Sequence, residues 1–122
     1  MNLLFKTKVY AFDVDETLEI SNGPIKIDHL IELKDQGHIV GICGNMQVFC
    51  RIPNWHKIIS FLGQSFLTKD HFLYGLKINI PAEEFIMVGN RLGVTGASDD
   101  EGAAQRAGWR FILERDFANG MR

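Results

Sequence analysis

The sequence predicts an α/β fold, a three-layer, Rossmann-like open parallel sheet with helices on both faces and no inserted second domain. Three observations predict it: short apolar runs rich in β-branched and aromatic residues recur along the chain, helical patterns separate them, and each run stops at polar residues. Strands that alternate with helices in this way form βαβ units, whose right-handed crossovers lay helices on both faces of a parallel sheet. A chain of 122 residues holds one domain, expected to run over 1–122, and a composition that is 46% hydrophobic supplies its core.

The elements follow in order. Lys8 to Val14 reads as a buried strand that stops at acidic residues. Asp28 is placed to cap a helix carrying Leu30, Ile31 and Leu33, Gly37 to end it, and Ile39 to Ile42 form a second buried run. Met46, Phe49, Ile52, Trp55, Ile59 and Leu62 recur near helical spacing, and Pro53 divides them into two short helical pieces. Ser65 to Leu67 reads as a short third strand, followed by a helix over Asp70 to Asn79 with Phe72, Leu73 and Leu76 on one face. Phe85 to Val88 is a fourth buried run, ending at Gly89-Asn90. After a Gly-rich loop, the small residues of Asp100 to Ala107 suit a helix packed closely on a sheet, and Trp109 to Leu113 gives the last strand.

Composition excludes several functions. A net charge of −2, from 13 basic and 15 acidic residues mixed along the chain, gives no electrostatic footprint for nucleic acid or an anionic membrane. No apolar run approaches the length that spans a bilayer, and Lys6, Lys8 and Asp13 break up the apolar start before it forms a signal-peptide core. Cys43 and Cys50 are too few for a disulfide framework, so reduced thiols and a cytoplasmic location are expected. The four histidines, His29, His38, His56 and His71, lack metal-ligand spacing, and Gly89, Gly93 and Gly96 do not make the Gly-x-Gly-x-x-Gly of a dinucleotide loop.

The chemistry gathers where strands end. Asp13 and Asp15 follow the first strand, Cys43-Gly44-Asn45 the second, Lys69 the third and Asn90 the fourth. In open parallel sheets these carboxyl ends converge on one crevice. A pair of carboxylates spaced Asp-x-Asp at a strand end can offer one as nucleophile and leave the other to handle a proton, although alone the same pair reads more readily as a solvated turn.

The local sequence FDVDETL resembles the first motif of the haloacid dehalogenase superfamily, Asp-x-Asp-x-Thr after a hydrophobic strand. Cys43-Gly44 resembles its second motif, Lys69 its third, and VGNRLGVTGASDDEGAAQRAGWRF its fourth, in the family's order over residues 7 to 113. The resemblance implies a capless Mg²⁺-dependent phosphatase working through an aspartyl-phosphate. It makes Asp13 the nucleophile and Asp15 the general acid and base, with Lys69 stabilising the charge on Asp13 and the phosphoryl oxygens. Cys43, Gly44 and Asn45 would contact the phosphoryl group, and the Asp13 carboxylate, the Asp15 carbonyl, Asn90 and Asp100 would serve the metal. Dehalogenases of the superfamily lack the second aspartate, so Asp15 favours phosphoryl chemistry. Thr17 belongs to the motif and is expected to shape the turn rather than to react.

Two positions depart from the family pattern. Cys43 stands where a Ser or Thr hydroxyl is usual, and it reads either as a weak donor or as a small buried hydrophobe. Asn90 stands where an aspartate normally binds the metal, which removes one charge; Asp100 or Asp99 supplies it in the family match, directly or through water, and the simpler reading of Asp99 is a helix cap. These departures keep open a catalytically weak or inactive member of the fold that binds phosphate or a partner. A signalling receiver is a poorer match, because its accepting aspartate follows the third strand and its lysine the last.

Selectivity is the least legible property. Only 27 residues (16–42) separate Asp15 from Cys43 and 25 (44–68) separate Cys43 from Lys69, so no cap fits. An open crevice suits a phosphorylated macromolecule, or a small molecule if a second copy covers it, and MQVFCRIPNWHKIISFLG is the candidate for such a homo-oligomer contact.

Overall fold

The first strand lies at the centre of the sheet. β1 (Lys8–Phe12) pairs in parallel with β2 (Ile39–Cys43) on one side and β4 (Glu84–Gly89) on the other. β3 (Phe61–Gly63) extends the sheet beyond β2, and β5 (Arg110–Leu113) extends it beyond β4, giving the order β3-β2-β1-β4-β5, parallel throughout. The computed structural model describes residues 6–63, 68–94, 96 and 99–122.

Among the described residues five α-helices accompany the strands: α1 (Ile27–Asp35), α2 (Met46–Phe49), α3 (Lys69–Asn79), α4 (Asp100–Ala107) and α5 (Glu114–Ala118). They cover both faces, because neighbouring side chains of a strand point to opposite sides. Tyr10, Phe12, Ile86 and Val88 join Leu30 and Leu33 of α1 and Phe117 of α5 in one buried cluster. Val9, Ala11 and Met87 join Leu73 of α3 and Ala103, Ala104 and Ala107 of α4 in the other. The alanines let α4 approach the sheet, as the run of small residues predicts. On the first face Phe117 meets Phe12 edge-on, with ring centroids 5.2 Å apart and planes at 88°. The three-layer α/β architecture expected from the sequence is therefore present.

Several boundaries move for local reasons. Helix α1 begins at Ile27 with Lys26 in the cap position, and Asp28 lies in its first turn instead of capping it. The open Ile27 N–H is met by Glu19, whose Oε2 accepts it at 2.7 Å from the preceding loop. Gly37 ends the helix with φ +93°, a conformation glycine adopts without a Cβ penalty. The pair of helical pieces after β2 is α2 and a 3₁₀ turn over Trp55–Lys57, while Leu62 belongs to β3. The strand expected at Ser65 to Leu67 lies outside the described residues. Trp109 precedes β5, and its indole Nε1 donates to the Leu73 carbonyl at 3.0 Å, tying β5 to α3.

The apolar residues of the stretch from Met46 to Gly63 pack on the core, while Gln47, Arg51, Pro53, Asn54, His56, Lys57 and Ser60 are exposed. Phe49, Ile58 and Ile59 are buried and Met46, Val48, Ile52, Trp55 and Leu62 pack against them. A shallow cavity of about 210 Å³ lined by Trp55, His56, Ile59, Ser60, Phe61 and Leu62 opens there. Among the described residues no helix is long and apolar enough to cross a membrane.

The strand order fixes where a ligand belongs. The chain runs outward from β1 to β2 and β3, then returns to the other side of β1 for β4 and β5, so the order reverses between β1 and β4. The crevice of an open parallel sheet lies at the carboxyl ends of its strands at such a reversal. Asp13 follows β1 and Asn90 follows β4, one on each side of it.

Candidate active site

Asp13 is delivered by an extension of the sheet. Its N–H donates to the Val88 carbonyl at 2.9 Å, which carries the pairing of β1 with β4 one residue past the strand. The residue is only 2% exposed, and its Oδ1 accepts from Lys69 Nζ at 2.9 Å. Lys69 is the first residue of α3, an end where the helix dipole disfavours a cation. Two carboxylates offset this, since the same Nζ lies 2.5 Å from Asp100 Oδ1. Burial acts to lower the Lys69 pKa, yet Asp13 and Asp100 together hold it above the ordinary range. Burial pushes the Asp13 carboxyl up to about 7; Lys69 opposes the rise and Asp100 adds to it.

Asp100 has both oxygens engaged. It is fully buried at the start of α4, with Oδ1 on Lys69 and Oδ2 accepting the Asn90 backbone N–H at 2.8 Å. The approach depends on Gly89, where an added Cβ would overlap Asp100 Oδ2. Asp99 beside it accepts from Gly102 N at 3.0 Å and caps α4, the simpler of the two roles open to it from the sequence.

Asn90 is wholly buried, and its partners fix which way its amide faces. Nδ2 donates to the Glu16 carbonyl and to Glu114 Oε2, each at 3.1 Å, and both of these are acceptors. Oδ1 therefore faces Thr17 Oγ1, at 3.3 Å. The same hydroxyl lies 3.5 Å from Asp13 Oδ2. A hydroxyl has one proton to give, so one of these two buried oxygens takes no proton from it.

Asp13 Oδ2 and Asn90 Oδ1 thus share one hydroxyl. Among the described residues no three His, Cys, Asp or Glu side chains gather as a metal cluster. The oxygens at hand are the Asp13 carboxylate and the Asn90 amide oxygen, the hard oxygen type that Mg²⁺ takes as ligand.

Asp15 lies at the surface, held from two sides. Ser21 Oγ donates to its Oδ1 at 2.6 Å, and Asn45 Nδ2 lies 3.3 and 3.4 Å from its two oxygens. Asn45 also caps α2 by accepting from Val48 N at 3.3 Å, so one amide braces both the helix start and the carboxylate. Gly44 adjoins Asp13: a Cβ there would stand 2.5 Å from Asp13 Oδ1. Cys43 is 2% exposed and belongs to the apolar cluster with Leu73 and Met87, and burial pushes its thiol up to about 12. It is a protonated, packed thiol at neutral pH.

Of the residues singled out in the sequence, Asp13, Lys69, Asp100 and Asn90 form one connected network, and Asp15 with Asn45 forms a second beside it. Three partners had not been assigned a part in either network. Thr17, expected only to shape the turn, bridges Asp13 and Asn90. Glu114 carries the same signal as the others, a polar residue directly after an apolar run. Ser21 carries no sequence signal; only the fold of the loop from Glu16 to Ile25 brings it to Asp15, with Glu16 at φ +59° and its N–H on the Ser21 carbonyl. Comparison with family models, curated proteins and solved structures returns no match to this chain.

Proposed function

We propose that the chain is a capless, magnesium-dependent phosphohydrolase of the haloacid dehalogenase type, acting on a phosphomonoester through an aspartyl-phosphate on Asp13. The observation that carries this reading is the contact of Lys69 with both Asp13 and Asp100 at the sheet's reversal point, 2.9 and 2.5 Å from its ammonium. A buried carboxylate paired with a lysine at that crevice suits attack on an anionic phosphoryl group.

In this scheme an Asp13 oxygen forms a bond to phosphorus while the bond from phosphorus to the ester oxygen breaks. Asp15, braced by Ser21 and Asn45, gives its proton to the departing alcohol. It then takes a proton from water, whose oxygen attacks the aspartyl-phosphate, releasing inorganic phosphate and restoring the Asp13 carboxylate. Lys69 holds charge on the phosphoryl oxygens through both steps. Mg²⁺, held by the Asp13 carboxylate, the Asp15 carbonyl and the Asn90 amide oxygen, would favour the ionised form of Asp13 and reduce its repulsion of phosphate. Asp100, with both oxygens in use, would contribute its charge through Lys69. The substrate is a phosphorylated small molecule or macromolecule, a second copy of the chain being one way to cover an open site.

A second reading is a phosphate- or partner-binding protein with weak or no turnover. Asp13 at 2% exposure and the neutral Asn90 favour it. Phosphate release from an aryl phosphate and a panel of phosphate esters, with and without Mg²⁺, separates the two. Mg²⁺-dependent turnover lost in Asp13→Asn is the expected result, and no turnover on any ester leaves the binding reading.

A further inference from the structure

We infer that Glu114 is a positioning residue of this site: together with the Glu16 carbonyl it selects an amide at position 90 and turns the amide oxygen toward Asp13. The inference rests on the proposed phosphohydrolase reading for its consequence, and on geometry for its substance.

Glu114 opens α5 directly after β5 and is 4% exposed. Its Oε2 and the Glu16 carbonyl each accept from Asn90 Nδ2 at 3.1 Å, which uses both amide protons. Oδ1 is left facing Thr17 Oγ1, 3.3 Å away, on the side where Asp13 Oδ2 lies 3.5 Å from the same hydroxyl. An aspartate at position 90 would set an oxygen where the nitrogen now sits, against the Glu114 carboxylate and the Glu16 carbonyl, both of them acceptors. The pairing also explains a departure visible in the sequence. The charge expected at position 90 stands on the residue behind it, and Asn90 presents a neutral oxygen in front.

A double-mutant cycle on the full chain tests this, with Asn90→Asp, Glu114→Gln and both together, followed by thermal unfolding without metal. Asn90→Asp should lower the midpoint, and adding Glu114→Gln should raise it again, because the glutamine amide donates to the new carboxylate. Additive midpoints overturn the inference. Calorimetric titration with Mg²⁺ supplies the second readout. Glu114→Ala should weaken binding about tenfold, the usual scale for a group behind a metal ligand, while the charge-swapped double variant binds at least as tightly as wild type. Wild type and Glu114→Ala with equal affinity contradict the positioning role. A wild type that takes up no Mg²⁺ contradicts the phosphohydrolase reading instead, and the metal-free cycle still decides the Asn90–Glu114 pair.

Discussion

Lys69 and Asp13, 56 positions apart in the chain, form a 2.9 Å ion pair at the carboxyl edge of the sheet. The pair joins the first residue of α3 to the residue just past β1, so it depends on the whole sheet being assembled. It is also held in place from behind, because Asp100 grips the same ammonium and the backbone of Asn90.

Lys69→Met should therefore be costly twice. It leaves Asp13 and Asp100 buried without their shared cation, and breaking such a pair by removing one partner costs about 3–5 kcal/mol. Turnover should fall by about 100-fold or more, the scale for losing one donor to a charge that develops in the transition state. Denaturant unfolding and steady-state phosphate release measure the two effects separately.

Asp15→Asn should retain the fold, since Asp15 is exposed and its partners Ser21 and Asn45 can bond an amide. Its turnover should fall by about 10²–10⁴-fold, the scale for losing a positioned acid and base. Ser21→Ala should give a smaller loss. Turnover unchanged in Asp15→Asn would remove this residue from the chemistry.

The two thiols should differ in reactivity. Cys43 is buried and its thiol is pushed up to about 12, whereas Cys50 is partly exposed. Iodoacetamide at neutral pH should modify Cys50 in the native protein and reach Cys43 only as the chain unfolds. Peptide mapping of the alkylated protein reads this directly.

His38 should make folding sensitive to mild acid. Burial, and then the Lys8 ammonium, lower its pKa, and its Nδ1 accepts the Lys8 backbone N–H at 3.1 Å. The folded pKa lies below the unfolded value near 6.5, so this stability is fully present above about 6.5 and is lost as pH falls through the folded pKa. Unfolding free energies from pH 8 to pH 5 should decline more steeply in wild type than in His38→Gln, whose amide oxygen can accept the same bond.

The parallel sheet was legible because β1, β2 and β4 are buried on both faces and so appear as continuous apolar runs, each ending in a polar residue. Helix α4 matched to the residue because its alanines and its Asp99 cap are local signals. Helix α1 starts two residues before the position that an Asp28 cap implies, because its N–H partner, Glu19, comes from a segment whose path no local pattern reveals. The site shows the same division. Asp13, Lys69 and Asn90 could be picked out one by one, but the engagement of both Asp100 oxygens and the orientation of Asn90 by Glu114 depend on contacts between distant residues.

The central claim is that Asp13 takes up a phosphoryl group, and acid-quenched mass spectrometry tests it most directly. The full chain is mixed with Mg²⁺ and an aryl phosphate, quenched in acid and digested. One phosphoryl group on the peptide containing Asp13 is predicted, accumulating in Asp15→Asn and absent from Asp13→Asn. Release of phosphate by wild type with no modified peptide, or with the group on another residue, would contradict the account.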